Sequence, residues 1–125
     1  MTQTLAHFRT AASQLSLRNQ CWIDGRFVPA ASGARFDSVN PATASVLTDV
    51  ARGGAEDIDR AVAAARRAFA DGRWSAKTPE ARKEVLLRLA ALLRDHTEEF
   101  ALLDTLDMGK PITETLTGDV PGAAA

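Results

Sequence analysis

The stretch Cys21-Trp22-Ile23-Asp24-Gly25-Arg26-Phe27-Val28 decides the fold, because two short strand-forming runs flank an Asp-Gly pair. Asp-Gly tolerates the positive φ angles that a type I′ turn needs, so the stretch predicts a β-hairpin. Pro29 is expected to end its second strand. Further along, Asn40-Pro41-Ala42-Thr43 predicts a turn, and the run from Val46 to Val50 predicts an edge strand.

Three helices are predicted after the strands. The first covers about residues 55–71, the second begins at the N-cap and proline pair Thr78-Pro79, and the third runs from Thr97 to Gly109. A weaker helical pattern covers the stretch from Leu5 to Leu17. The residues at helical spacing on the apolar face of the first long helix are Ile58, Ala61, Val62, Ala65 and Phe69.

These helices carry more apolar surface than the predicted strands can cover. Each helix presents one apolar stripe, and in the second helix that stripe is Val85, Leu86, Leu89, Ala90, Leu92 and Leu93. A hairpin and one edge strand are too little sheet to bury all of the stripes. The chain is therefore predicted to be α/β in class and incomplete on its own, with residues 120–125 as the opening of a further helix.

Composition excludes several classes of function. The chain has 125 residues, 46% of them hydrophobic and 25% charged, and a net charge of −1. These values are typical of a soluble domain and do not favour a nucleic-acid partner. No apolar run approaches the roughly 20 residues that span a bilayer, and residues 1–18 lack the apolar core of an export signal. With a single cysteine and no such signal, a cytoplasmic location is expected.

Taken together, the motifs resemble the NAD(P)-dependent aldehyde dehydrogenases. They occur in the family's order and span residues 20–125, and the tail from Pro111 onward is similar to bacterial enzymes that oxidise 4-(γ-glutamylamino)butanal and other ω-aminoaldehydes in putrescine breakdown. The matching segments are Trp22 to Val28, Asn40 to Thr43, Asp57 to Phe69, Gly72, Trp74, Arg82, Leu86 to Leu93, and Leu103 to Pro111.

The resemblance implies what such a protein does and where this chain fits in it. In the family a cysteine thiolate attacks the aldehyde, hydride passes to NAD or NADP, and a glutamate activates the water that releases the carboxylate. Those residues and the cofactor loop match no position here, so no residue of this chain is assigned to catalysis or to cofactor binding. Residues 20–125 are expected to be the start of the NAD(P)-binding domain, and residues 1–19 a lead-in. The parent enzyme is expected to be a homodimer or homotetramer that takes a small aldehyde and binds neither membrane nor nucleic acid.

Five residues suggest functional roles that the rest of the sequence does not support. Cys21 begins a strand and has no cationic side chain beside it in the sequence, so it is interpreted as a small, partly buried apolar residue. His7 and His96 are too far apart in the sequence to suggest a metal site. Gly53-Gly54 lacks the rest of a dinucleotide-binding fingerprint and is interpreted as a break between strand and helix.

Asp107 is the centre of the one candidate site. It lies in the last turn of the predicted third helix, where the helix dipole disfavours an anion by up to about 1 kcal/mol. The family resemblance implies an intrasubunit sodium or potassium site made of Asp107 and the backbone carbonyls of Ser38 and Val39. A plain salt bridge between Asp107 and Lys110 is the alternative.

Two functions remain open from the sequence. The first is a fragment of an aldehyde oxidoreductase that is inactive alone. The second is a short, non-catalytic protein that folds by itself or binds aldehyde dehydrogenase subunits. The run Ala123-Ala124-Ala125 favours the first, because a natural terminus usually caps or polarises its last helix.

Overall fold

In the computed structural model, which describes residues 4–125, one short helix precedes four short strands and the remaining elements are helical, a mixture that agrees with the predicted α/β class. The first three residues of the predicted lead-in lie outside the described part. The elements are α1 (Leu5–Ser13), β1 (Cys21–Ile23), β2 (Arg26–Val28), β3 (Arg35–Val39), β4 (Val46–Ala51), α2 (Ala55–Ala70), α3 (Pro79–Asp95), α4 (Thr97–Met108), α5 (Ile112–Glu114), a π-helical turn (Thr115–Asp119) and α6 (Val120–Ala123). No helix within residues 4–125 is both long and apolar enough to span a membrane.

The hairpin is confirmed. Strands β1 and β2 pair antiparallel, with Trp22 opposite Phe27, and the two turn residues Asp24 and Gly25 have φ angles of 54° and 77°. Positive φ at both positions is what a type I′ turn demands, so the choice of Asp-Gly sets the register. The rings of Trp22 and Phe27 pack edge-to-face on one side of the hairpin, 4.5 Å apart.

A second two-stranded sheet joins β3 to β4 through the turn at residues 40–45. The Asn40 side chain accepts a hydrogen bond from the Ala42 amide at 2.9 Å, which is the local bond expected of asparagine in a turn. The predicted strand at 46–50 is confirmed as β4. Its partner β3 was not predicted, because nearly all of its residues are exposed and it lacks an alternating apolar pattern.

The helix boundaries follow the predicted capping signals. The hydroxyl of Thr78 accepts a hydrogen bond from the Ala81 amide at 3.2 Å, as an N-cap residue does. Gly109 ends α4 with a φ of 76°, the left-handed conformation that favours glycine at this position. Helix α1 is shorter than its pattern suggested and ends at Ser13.

The predicted helix at the end of the chain is present as α6, Val120–Ala123, but it continues a helical segment that was not predicted. The backbone is helical from Ile112, and the amide of Val120 bonds to the carbonyl of Thr115, five residues earlier. Pro121 has no N–H for the carbonyl of Thr117, and its ring conflicts with a carbonyl four residues back. The π-helical turn of Thr115–Asp119 lies just before this proline, where a local change in winding is expected.

The residues divide into two compact units. The first contains residues 4–18, 39–47 and 88–125, and its interior is built on α4 and the helical segment after it. Thr115 is fully buried there, and its hydroxyl lies 3.2 Å from the carbonyl of Ala101 and 3.1 Å from that of Ile112. The hydroxyl of this buried threonine therefore has hydrogen-bond partners.

The second unit contains residues 19–38 and 48–87, and its centre is the contact of α2 with β1. The face of α2 next to the hairpin carries Ala61, Ala64 and Ala68, which are half-buried. Within the apolar stripe predicted for α2, Ile58 is 61% exposed and Phe69 is 72% exposed, which agrees with the prediction that the chain has too little sheet to cover its helices. Small alanine side chains let the helix lie close to the hairpin, and the large apolar residues are left on the outside.

Candidate functional site

The most enclosed charged group is the carboxylate of Asp57, in the first turn of α2. It accepts a hydrogen bond from the Gly54 amide at 3.0 Å and from the Ala31 amide at 3.0 and 3.2 Å. The guanidinium of Arg60 lies 3.5 Å away, one turn along the helix. Asp57 thus connects the start of α2 to the segment that leaves the hairpin, which we call the Asp57 clasp.

The surroundings of Asp57 favour its charged form. Hydrogen bonds from the Gly54 and Ala31 amides and the charge of Arg60 lower the pKa of the Asp57 carboxyl below its ordinary value of 3.8, although burial acts in the opposite direction. The helix N-terminus contributes in the same sense, since its dipole stabilises an anion. The clasp is therefore an anionic structural contact at neutral pH.

The structure agrees with the interpretation of Gly53-Gly54 as a break between strand and helix, and of Cys21 as a small, partly buried apolar residue. The amide of Gly54 is taken by the carboxylate of Asp57, so it is not available to cradle a phosphate. Cys21 is half-buried in β1, and its sulfur would lie 3.6 Å from a Cβ placed on Gly53. The Cys21 sulfur therefore packs beside Gly53, in the segment between β4 and α2.

The two histidines each pair with a glutamate of α4. His7 Nε2 lies 2.8 Å from the Glu98 carboxylate, and His96 Nδ1 lies 3.2 Å from that of Glu99. Across the described residues, no group of three or more histidine, cysteine, aspartate or glutamate side chains is arranged to hold a metal ion. Both histidines lie at the surface, each beside a carboxylate.

The end of α4 meets the Asn-Pro turn. A Cβ added to Gly109 would lie only 2.8 Å from Cγ of Pro41, so this glycine allows a close approach. Asp107 is exposed two residues before this contact, and Val39 is exposed two residues before Pro41. Ser38, the third predicted ligand, is half-buried on β3.

Lys110 binds a different carboxylate from the one the sequence suggested. Its ammonium lies 2.6 and 2.7 Å from the two carboxylate oxygens of Asp119, in the π-helical turn. This contact raises the pKa of Lys110, with smaller contributions from the charges of Glu114 and Asp104. The ion pair ties the end of α4 to the following helical segment, and sequence spacing alone did not signal it.

A model of the aldehyde dehydrogenase family matches residues 27–125. The chain belongs to the aldehyde dehydrogenase family.

Its relatives include oxidoreductases of aminoaldehydes. The chain is 47% identical to the NADP/NAD-dependent aldehyde dehydrogenase PuuC of Escherichia coli, over 96% of this chain and 24% of that protein. It is 51% identical to the crystal structure of the γ-glutamyl-γ-aminobutyraldehyde dehydrogenase of Burkholderia cenocepacia, with a TM-score of 0.95 over 98% of this chain and 25% of that one. The indole-3-acetaldehyde dehydrogenase AldA of P. syringae, solved with NAD+, is 44% identical with a TM-score of 0.96, over 98% of this chain and 25% of that one.

The chain thus spans about a quarter of the length of the relatives it matches. The α/β fold class and the family resemblance are both confirmed. What this quarter contains is a set of structural contacts, namely the Asp57 clasp, the close approach of Gly109 to Pro41, and the ion pair of Lys110 with Asp119.

Replacing the carboxylate of the clasp is expected to give a pH-dependent loss of stability. Because the folded-state pKa of Asp57 is lowered, its stabilisation is fully present above its ordinary pKa and disappears as the pH falls through the folded-state value. Urea unfolding of Asp57→Asn at neutral pH should give a lower free energy of unfolding than the native chain, and the difference should shrink in acid. Asp59→Asn, at an exposed position in the same helix, is the control. The same pH dependence for both variants would contradict this role of Asp57.

Proposed function

We propose that this chain is the structural opening of the NAD(P)-binding domain of an aldehyde dehydrogenase, with residues 1–19 as its lead-in and residues 20–125 as part of that domain. The parent enzyme oxidises an aldehyde to a carboxylate with NAD+ or NADP+. The observation that carries this proposal is the identity of 47–51% over almost the whole chain to PuuC and to a γ-glutamyl-γ-aminobutyraldehyde dehydrogenase.

The proposed substrate is an ω-aminoaldehyde of the kind formed in putrescine breakdown. Support comes from the aminoaldehyde named for the Burkholderia relative and from the tail after Pro111, which resembles enzymes of that group. The nucleophilic cysteine, the glutamate and the cofactor loop belong to the part of the family fold that this chain does not match. The role of the chain's own residues is to hold the hairpin and the outer helices in place.

The test starts from the gene. The DNA beyond codon 125 is expected to continue in frame into a segment with a catalytic cysteine. The product of that frame should reduce NAD+ or NADP+ with 4-(γ-glutamylamino)butanal, with a kcat/KM at least about tenfold above that for acetaldehyde, a difference of about 1.4 kcal/mol. The purified 125-residue chain is the control, and no turnover is expected from it.

Two results would contradict this proposal. Aldehyde-dependent reduction of NAD+ by the pure 125-residue chain would mean that the catalytic residues lie within this chain. An in-frame stop codon, combined with cooperative unfolding of the chain alone, would support the non-catalytic protein that folds alone or binds aldehyde dehydrogenase subunits.

We further propose that Asp107 and the carbonyls of Ser38 and Val39 hold a sodium or potassium ion. Hard oxygen donors suit such an ion, and the packing of Gly109 against Pro41 supports the placement of the α4 end beside the Asn-Pro turn. Lys110, the alternative partner of Asp107, forms its ion pair with Asp119.

Sodium or potassium should therefore stabilise the chain specifically. At a cation concentration ten times Kd, the free energy of unfolding should rise by about 1.4 kcal/mol relative to the same ionic strength of tetramethylammonium chloride. Asp107→Asn should abolish this gain, and Asp104→Asn, one turn earlier on α4, should retain it. An equal response to all three salts would refute the cation site.

A further inference from the structure

Three arginine side chains line one pocket of the second unit, between the turn of the hairpin and α2. The pocket has a volume of about 180 Å³ and is lined by Ile23, Asp24, Arg26, Arg60, Ala63 and Arg67. Arg60 and Arg67 are about two helical turns apart, so they lie on the same face of α2, with the small side chain of Ala63 between them. Arg26 joins them from β2. The fold therefore brings three guanidinium groups from two elements to one pocket.

The carboxylates around this pocket neutralise only part of its charge. Arg67 donates one hydrogen bond to Asp24 at 3.1 Å. Arg60 lies 3.5 Å from Asp57, whose carboxylate already accepts hydrogen bonds from two backbone amides. Within residues 4–125, Arg26 takes part in no ion pair. Three cationic groups thus face two carboxylates, and a net positive charge remains.

The free donors of these arginines suit a phosphate group. A guanidinium is planar and has five N–H donors, so it can hold two oxygens of one phosphate at once. The single bond from Arg67 to Asp24 leaves its other N–H groups for a ligand. The side chains of Arg60 and Arg67 are 41% and 60% exposed, so an ion can reach them from solvent. The pocket is several times larger than the roughly 30 Å³ that a water molecule takes in the liquid, so a tetrahedral oxyanion fits.

We propose that this three-arginine pocket binds the phosphate group of inorganic phosphate or of a small phosphate monoester. Arg26, Arg60 and Arg67 supply the donors, and Asp24 competes with the ligand for Arg67. The site is separate from the proposed aldehyde chemistry, because none of its residues is assigned to catalysis, to the cofactor or to the cation.

Titrations followed by backbone amide NMR test the pocket in the 125-residue chain. The probes are inorganic phosphate and methyl phosphate, at a pH above neutral where a phosphate group carries close to two charges. Sodium chloride at the same ionic strength is the reference, since it reports charge screening alone. At least one probe should shift the amides of residues 24–26 and 60–67 in a saturable way, and chloride should not. Tighter binding of methyl phosphate would identify an ester as the ligand, and tighter binding of inorganic phosphate the free ion. Shifts that are the same in chloride and in both probes would overturn the site.

Arg26→Gln should raise the Kd for phosphate at least about fivefold, because it removes a charged hydrogen-bond donor from the pocket. Arg66→Gln is the matched control, since it removes the same charge from an exposed arginine of α2 that does not line the pocket. It should change the Kd by less than about twofold. Equal losses in the two variants would show that phosphate responds only to the net charge of the chain, and would contradict the proposal.

A variant that binds more tightly separates the proposal from damage to the fold. Asp24 has a φ angle of 54°, and asparagine also tolerates this conformation, so Asp24→Asn keeps the hairpin turn. It removes the carboxylate that competes for Arg67, and the Kd for phosphate should fall at least about threefold. Asp59→Asn removes the same charge from an exposed position outside the pocket and should change the Kd by less than about twofold. Unchanged affinity in Asp24→Asn, or the same gain in both variants, would overturn the three-arginine pocket.

Discussion

The constraint on which the structure depends is a surplus of apolar helix surface over the sheet available to cover it. Two short two-stranded sheets are present, and within the described residues no residue of α3 is fully buried. Burying a leucine contributes roughly 1.5–3 kcal/mol, so the exposed leucines of α3 represent stabilisation that this chain does not obtain by itself. That deficit supports the proposal that the chain is part of a larger domain, and the chain spans about a quarter of the length of PuuC.

Where apolar burial is scarce, polar contacts fix the geometry. The Asp57 clasp joins the segment after the hairpin to the start of α2 with backbone hydrogen bonds at 3.0 Å. Lys110 and Asp119 do the same for the end of α4 and the helical segment that follows. Charge-assisted hydrogen bonds of this kind are directional, so they set orientation where a small apolar interior cannot.

The local elements were predictable because single residues determine them. Asp24-Gly25 gave the hairpin turn, Thr78 the start of α3, and Gly109 the end of α4, each through a backbone requirement that neighbouring sequence satisfies. The side of α2 that meets the hairpin was not predictable, since periodicity marks the stripe with Ile58 and Phe69, whereas the helix packs on the hairpin through its small alanines.

Contacts between distant residues were also missed. The partner of Lys110 depends on the π-helical turn, which brings Asp119 to it, and no sequence spacing signals that turn. Strand β3 was not predicted because its residues are mostly exposed and do not alternate between apolar and polar. Family membership was recognisable despite these missed contacts, because it depends on the order of the sequence motifs and not on which side chains touch.

Backbone hydrogen exchange tests the central claim, that this chain is a structural part whose apolar helix faces are covered by the rest of a subunit. We expect the amides of α3 to exchange rapidly in the isolated chain and to be strongly protected in a chimera in which this chain replaces the corresponding quarter of E. coli PuuC, because a helix with no fully buried residue opens easily. The amides of Ala31 and Gly54, held by Asp57, should be protected in both. Equal and strong protection of α3 in the isolated chain and in the chimera would contradict the account.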